Sequence, residues 1–196
     1  MTVGVTLEFP GCTTAQYDQV LGLMGLTPRG AGPAGILFHW AAVTGDGMLI
    51  TDVWRERQRF DEFAREEIGP YTQQAGIAAP KTTFDDVHNY LTAGALATPV
   101  TAPIAVLMDF EGDIGQYDQA LDEMGFTREG RGEDGGLFHW VTEVDGGARI
   151  TDVWQDHATF DAFAESRLAP VMAKLGIKPA KSVVVLDVYN YFTAGA

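Results

Sequence analysis

Two pairs of histidine and aspartate are the first feature of this sequence that could do chemistry. His39 lies in the stretch LFHW and Asp52 in TDVW, and both stretches recur around His139 and Asp152. An aspartate beside an imidazole fixes the tautomer of the ring and stabilises its protonated form, so that the histidine can act as a general base near neutral pH. The sequence therefore predicts His39, Asp52, His139 and Asp152 as catalytic residues.

The residues between each histidine and its aspartate predict a β-hairpin. Apolar stretches flank the dipeptides 45–46 and 145–146, whose glycine and aspartate residues favour a two-residue turn. Counting back from that turn places each histidine directly opposite its aspartate, where cross-strand Cβ atoms lie ~4.5–5.5 Å apart. A pair of this kind could also do no more than hold the hairpin together, and this structural alternative stays open.

The hairpin is part of a longer internal repeat. Residues 37–77 align without gaps with 137–177, and the stretches QYDQ and TAGA also occur once in each half. We predict a first unit at 1–95, a linker at 96–102 that is short and contains proline, and a second unit at 103–196. Two units of this length favour a fused pseudo-dimer over a solenoid, because solenoid repeats are shorter and more numerous.

Each unit shows the same alternation of patterns. A strand (VGVTLEF in the first unit) is followed by a helix with Thr13 or Thr14 at its start and Gly25 at its end, then by the hairpin, a second helix and a last strand. This order predicts an α+β fold: two tandem ferredoxin-like β-α-β-β-α-β units packed sheet to sheet as a pseudo-dimeric α+β barrel.

Side-chain alternation predicts which strand face carries a site. The apolar set that begins at Val3 should lie under the helices, and Phe38 and Trp40 of the hairpin should join it. The opposite face is then mixed polar and aromatic, as ligand cavities are, and should look into the space between the units. The predicted ligand-binding residues are Glu8, Trp54, Asp86, His88 and Tyr90 in the first unit and Asp109, Trp154, Asp187, Tyr189 and Tyr191 in the second.

Three motifs carry a resemblance to a known superfamily. A strand ending in DVW precedes a helix with the pair FDEF (60–63) or FDAF (160–163), followed by a P-x-x-x-x-x-G-I pattern at 70–77 and 170–177. In these motifs the sequence resembles the dimeric α+β-barrel superfamily, particularly its antibiotic-biosynthesis-monooxygenase-like members. The resemblance implies two ferredoxin-like units around a cavity. Members include cofactor-independent oxygenases of polyketide-like aromatics, haem-degrading enzymes and isomerases.

The match to the haem-degrading members is partial. Their tryptophan at the end of the third strand lines the cavity, which implies that role for Trp54 and Trp154. Their helical histidine corresponds here to Ala64 and Ala164, and the first strands contain no asparagine. The resemblance therefore favours chemistry without a cofactor, and we expect no haem, no flavin and no metal.

Composition restricts the partners. The net charge of −14 argues against nucleic acid and anionic membranes, which reward clustered lysine and arginine. The single Cys12 cannot form an internal disulfide, and no apolar run is long enough to span a bilayer, so we expect a cytoplasmic protein. For the assembly, we expect a homodimer. We predict an enzyme acting on a hydrophobic aromatic or polyketide-like molecule, by cofactor-independent oxygenation or isomerase-like proton transfer. The alternatives are a non-catalytic binding protein for such a ligand and a structural domain without a site.

Overall fold

A computed structural model describes residues 1–195, and it contains the predicted order of elements twice. The elements of the first half are β1 (Val3–Pro10), α1 (Thr14–Met24), β2 (Ile36–Thr44), β3 (Gly47–Trp54), α2 (Arg57–Phe63), α3 (Gly69–Gln74) and β4 (Lys81–Leu91). Those of the second half are β5 (Ile104–Glu111), α4 (Ile114–Glu123), β6 (Gly136–Val144), β7 (Gly147–Trp154), α5 (His157–Phe163), α6 (Ala169–Leu175) and β8 (Ser182–Phe192). A π-helical segment joins α2 to α3 (Ala64–Ile68) and another joins α5 to α6 (Ala164–Leu168).

The ends of α1 follow from its sequence. The Thr13 side chain accepts a hydrogen bond from the backbone of Gln16, and the Gln16 side chain accepts one from the backbone of Thr13, which forms a capping box. Gly25 ends the helix in the left-handed conformation, with a φ of 68° that costs glycine little. Both predicted ends of this helix are confirmed.

The first compact unit combines Met1–Asp86 with the chain from Val188 onward. Its strands are all antiparallel: β1 pairs with β3 on one side and with the first part of β4 on the other, while β2 pairs with β3 and with the end of β8. Helices α1, α2 and α3 pack on the face that carries the apolar side chains of β1.

The second compact unit comprises Val87–Asp187 and repeats this arrangement. In it β5 pairs with β7 and with the first part of β8, and β6 pairs with β7 and with the end of β4. The compact units therefore differ from the sequence repeats in exchanging the ends of β4 and β8. As a result, the two halves of each of these strands serve different units.

The predicted hairpin register is confirmed in both units. His39 lies opposite Asp52 and Thr44 lies opposite Gly47. His139 lies opposite Asp152 in the second hairpin. The short turns and the side-chain period of two together fix this register, because a slip by one residue would turn every apolar side chain to the other face.

The predicted orientation of the histidine-aspartate face is wrong. Register between β1 and β3 places Val5 opposite Asp52 and Leu7 opposite Ile50, so all four side chains share one face. That face lies under the helices of its own unit, and the ring of Trp54 lies 5.3 Å from the ring of Phe63 at the end of α2. Trp154 and Phe163 repeat the contact in the second unit, with centroids 5.0 Å apart. Phe38 and Trp40 accordingly lie on the opposite face.

A β-bulge explains a second correction. The register of β4 against β6 shifts between Val87 and Asn89, so the alternation expected for Asp86, His88 and Tyr90 breaks there. Asn89 joins the helix-covered face, whereas Tyr90 stacks on Phe138 on the opposite face, with centroids 5.8 Å apart. An equivalent shift in β8 places Tyr191 against Phe38, with centroids 6.0 Å apart.

Candidate functional site

A chain of four polar side chains crosses the helix-covered face of the first unit. Asp52 accepts a hydrogen bond from Nδ1 of His39 (2.7 Å), and Nε2 of His39 accepts one from the hydroxyl of Tyr17 on α1 (2.8 Å). The Tyr17 oxygen in turn accepts a hydrogen bond from Nδ2 of Asn190 (2.8 Å). The imidazole tautomer with its proton on Nδ1 satisfies every contact in this chain.

Further hydrogen bonds fix both ends of the chain. The backbone N–H of Arg29 donates to Oδ1 of Asn190 (3.0 Å), which orients that amide. At the other end, the indole N–H of Trp54 donates to Oδ2 of Asp52 (3.3 Å). Because every donor points towards the carboxylate, the arrangement is polarised in one direction, and each buried polar group in it has a partner.

The second unit repeats the chain with one difference. Asp152, His139 and Tyr117 are joined by hydrogen bonds of 2.6 and 2.8 Å, and Asn89 donates to the Tyr117 oxygen (2.7 Å). The indole nitrogen of Trp154, however, is buried and has no hydrogen-bond partner within residues 1–195. This N–H is therefore available to a water molecule or to an acceptor atom of a ligand.

Each chain borders a cavity between the sheet and the helices of its own unit. The cavity of the first unit measures about 60 Å³, and Tyr17, His39 and Asp52 are among its lining residues. The cavity of the second unit measures about 100 Å³ and is lined in the same way by Tyr117, His139 and Asp152, together with Trp154. Most other lining side chains are apolar; the further polar ones are Thr72 in the first cavity and Thr92, Glu111, Asp113, Gln116 and Glu133 in the second.

Three substitutions between the repeats match the difference in volume. Ala120, Gly136 and Ala148 line the larger cavity, at positions where the first unit has the larger Val20, Ile36 and Met48. Each replacement removes methylene or methyl groups beside the cavity, and packed interiors do not close such gaps fully. The imidazole of His139 is also more accessible than that of His39, at 18% against 10%. The second cavity is thus the larger of the two, with the more accessible histidine.

Both tyrosines are held in the protonated form. Burial raises the pKa of the Tyr17 hydroxyl, and the carboxylates of Asp52 and Asp18 raise it further, against the lowering effect of the Asn190 hydrogen bond. Burial likewise raises the pKa of the Tyr117 hydroxyl. At neutral pH each tyrosine is therefore a neutral hydrogen-bond donor rather than a phenolate base.

These shifts make the fold sensitive to alkali. Above pH ~10 the tyrosines of an unfolded chain ionise, whereas buried Tyr17 and Tyr117 keep their protons. The unfolded state then binds fewer protons than the folded state, so the free energy of unfolding falls as pH rises. We expect the free energy of unfolding, measured in urea between pH 9 and 11, to fall more steeply with pH for the wild type than for the double variant Tyr17→Phe plus Tyr117→Phe. Equal slopes would contradict this assignment.

The acidic residues predicted as ligand contacts lie away from the cavities. Glu8 is exposed near the end of β1 and pairs with Lys81 of β4 at 2.8 Å. Asp109 accepts hydrogen bonds from Arg149 (2.7 Å) and Ser182 (3.0 Å), and the Arg149 contact lowers its pKa. The two remaining acids, Asp86 and Asp187, are exposed. The structure brings none of these four to the His-Asp pairs.

Two other predicted residues lie at the bulges. His88 contacts Asp118 (2.9 Å) and Arg128 (2.8 Å), and the hydroxyl of Tyr189 donates to Asp18 (2.7 Å). Neither residue lines the cavity of its unit. Trp54 packs beside the first polar chain without lining its cavity, whereas Trp154 lines the second one.

Sequence reasoning missed the tyrosines and asparagines of the two chains. Tyr17 and Tyr117 both lie in the repeated stretch QYDQ, and Asn89 and Asn190 both precede a tyrosine in the last strand of each repeat. A polar residue repeated on the apolar side of a helix signals a buried partner, because unpaired burial costs several kcal/mol. That signal was present in the sequence.

Two further observations concern metals and membranes. Within the described part of the chain, no group of three or more histidine, cysteine, aspartate or glutamate side chains is placed to hold a metal ion. None of the helices in residues 1–195 is both long enough and apolar enough to cross a bilayer.

Two crystal structures of other proteins share this fold over the whole chain. A "putative monooxygenase" from Fusobacterium nucleatum subsp. nucleatum has a TM-score of 0.68 at 10% identity, covering 100% of this chain and 95% of its own. A "putative monooxygenase" from Lactobacillus acidophilus has a TM-score of 0.65 at 12% identity, covering 100% of this chain and 97% of its own. No protein-family model and no curated protein matches the sequence.

The fold class follows from these matches and the element order. The fold is that of a dimeric α+β barrel, as the sequence motifs predicted. In this particular protein one polypeptide supplies both ferredoxin-like units. Each unit has its own series of hydrogen-bonded Asp, His, Tyr and Asn side chains.

Proposed function

We propose that this protein is an oxygenase-like enzyme for a small hydrophobic molecule, and that its reaction takes place in the cavity of the second unit. The observation that carries the proposal is an apolar cavity that contacts a polarised chain of Tyr117, His139 and Asp152. The two structural neighbours named as monooxygenases support the oxygenase class. The greater volume and the unpaired indole of Trp154 favour the second cavity over the first.

Cavity size restricts the substrate. An engineered cavity of about 150 Å³ binds benzene, so a space of about 100 Å³ suits a single ring rather than a polycyclic polyketide. Met108, Met124 and Met172 line the cavity, and their flexible side chains can adjust to a ring of that size. We therefore propose a monocyclic phenol or a small enol, whose oxygen can reach Tyr117 or the indole of Trp154.

The direct base in this proposal is Tyr117 rather than His139. Both ring nitrogens of His139 are engaged, one by Asp152 and one by Tyr117, so the tyrosine oxygen is the group that meets the substrate. The substrate hydroxyl donates its proton to Tyr117 as Tyr117 passes its own proton to His139. Asp152 stabilises the resulting imidazolium.

The reaction that follows balances without a reductant. The phenolate is electron-rich and reacts with dioxygen, giving a quinone and one water molecule from one phenol and one dioxygen. One oxygen atom forms the new C=O bond, and the other leaves as water with the hydrogen atoms of the phenol C–H and O–H groups. The same relay could instead move a proton α to a carbonyl, as an isomerase does.

The test measures oxygen uptake with a panel of monocyclic phenols and no added cofactor. We expect at least one phenol to bind and to be oxidised by the wild type. Ala148→Met restores the residue that the first unit has at this position, fills the second cavity, and should weaken binding at least tenfold. Because the added side chain enters existing space, stability should change by less than about 1 kcal/mol. Val20→Ile, which adds one methyl group beside the first cavity, is the matched control and should leave turnover unchanged.

Each outcome has a definite meaning. Absence of both binding and oxygen uptake across the panel would refute the proposed function. Full turnover by Ala148→Met would show that the reaction does not take place in the second cavity.

A second candidate function is non-catalytic binding of the same class of ligand. The observation in its favour is that hydrogen bonds already join Asn89, Tyr117, His139 and Asp152 to one another, as expected for a structural network. Binding of a phenol without oxygen uptake or isomerised product would support this function. For the assembly, we propose that the duplicated chain also forms a homodimer.

A further inference from the structure

The first half of β8 presents an apolar strand to solvent. Val183, Val184 and Val185 are 53%, 48% and 40% exposed, and they follow one another in the sequence. The corresponding positions of β4 in the first unit are Thr82, Thr83 and Phe84, so the second unit alone carries three valines here. Single exposed apolar residues are common on protein surfaces, whereas a consecutive run on a strand indicates a contact.

This stretch also lies at a strand edge within its unit. Residues 182–187 pair antiparallel with β5 on one side. On the other side, no strand of the described chain pairs with 182–187. An exposed apolar edge strand offers unpaired N–H and C=O groups, and such edges bind another strand by extending the sheet.

We propose that this edge binds the same edge of a second copy of the chain, in an antiparallel pair centred on Val184. A two-fold axis at Val184 places Val184 of the two copies opposite each other and Val183 opposite Val185. Lys181 then faces Asp187 of the second copy, and this contact occurs twice. The strand is thus complementary to itself in shape and in charge.

The charges favour a second copy over an unrelated partner. Lys181 is exposed, and its nearest carboxylate is that of Glu111 at 3.9 Å, while Asp187 is exposed at the other end of the stretch. Any other antiparallel register separates lysine from aspartate, so the charges select the register centred on Val184. Opposite charges at directly opposed positions contribute roughly 0.2–1 kcal/mol per pair, and like charges there destabilise.

The expected dimer is weak. A single added strand buries less than the ~1,200 Å² typical of stable complexes, and a net charge of −14 on each chain opposes association. We therefore expect a concentration-dependent equilibrium between monomer and dimer. At physiological ionic strength, where the Debye length is about 8 Å, the repulsion between distant charges is screened and the close pairs remain.

Sedimentation equilibrium of the full chain, from low micromolar to about 0.5 mM, tests the proposal. We expect the wild type to reach twice the mass of one chain and Val184→Lys to remain monomeric, because it places two lysines opposite each other. Thr83→Lys, at the equivalent strand position of the first unit, is the matched control and should dimerise like the wild type.

A charge exchange tests the register. Lys181→Asp and Asp187→Lys should each weaken dimerisation at least tenfold, and the double variant Lys181→Asp plus Asp187→Lys should restore it. A wild type that is monomeric at every concentration would overturn the proposal. It would equally be overturned if Val184→Lys still dimerised, or if the double variant failed to recover, since the contact would then use another surface or register.

Discussion

Asp52→Ala is expected to lower the free energy of unfolding by about 2–6 kcal/mol, because two buried hydrogen-bond donors lose their acceptor. Asp52 is 3% exposed and accepts hydrogen bonds from His39 (2.7 Å) and from the indole of Trp54 (3.3 Å). Its removal leaves two buried donors without an acceptor, and each unsatisfied group costs ≈ 1–3 kcal/mol. Urea unfolding followed by tryptophan fluorescence measures the change.

Two variants control this measurement. Asp52→Asn keeps one side-chain oxygen as an acceptor, so we expect it to lose clearly less stability than Asp52→Ala. Asp46→Ala removes an exposed carboxylate from the turn of the same hairpin and should stay within about 0.5 kcal/mol of the wild type. A loss below 1 kcal/mol for Asp52→Ala would show that the polar chain does not stabilise the first unit.

The features that the sequence predicted correctly are local ones. The turn at 45–46 and the period of two along β2 and β3 suffice to place His39 opposite Asp52, because both act over a few residues. The ends of α1 were predictable for the same reason, since Thr13, Gln16 and Gly25 are its own capping residues. The order of elements followed from the same local patterns, repeated twice.

The orientation of the hairpin face depended on residues distant in sequence. The histidine-aspartate face contains polar groups, and taken alone it looked unsuited to lie under helices. The free-energy cost of burying this face is small because Tyr17 of α1 and Asn190 of β8 provide hydrogen-bond partners for its polar groups. The register between β1 and β3, which sets Val5 opposite Asp52, could not be read from either strand alone.

The bulges were unpredictable for a related reason. The alternation of Asp86, His88 and Tyr90 is regular in the sequence, and the extra residue in the ladder appears only when β4 pairs with β6. The same shift recurs in β8, and in both strands it turns an asparagine towards the tyrosine of the neighbouring helix. The site therefore depends on two β-bulges that no local sequence pattern reveals.

Tyr117→Phe is expected to lower kcat by ~10²–10⁴-fold, the usual contribution of a positioned acid-base group, if the proposed oxidation proceeds through the relay. The phenyl ring keeps the apolar contacts of Tyr117 with the cavity and loses only the hydroxyl that joins the substrate to His139. Substrate affinity should change by no more than a few-fold, because most of the lining is apolar. Steady-state oxygen uptake with a phenol oxidised by the wild type separates kcat from KM.

Tyr17→Phe is the matched control, because Tyr17 occupies the same position in the smaller cavity of the first unit and makes the same contacts. It removes a more deeply buried hydroxyl with equivalent hydrogen-bond partners and should lower stability at least as much as Tyr117→Phe does, yet leave kcat unchanged. Equal losses of kcat in both variants would mean that the hydroxyls act only by supporting the fold. Unchanged kcat in Tyr117→Phe would exclude the tyrosine relay and return the role of base to His139. In that case His139→Gln should abolish turnover while Tyr117→Phe does not.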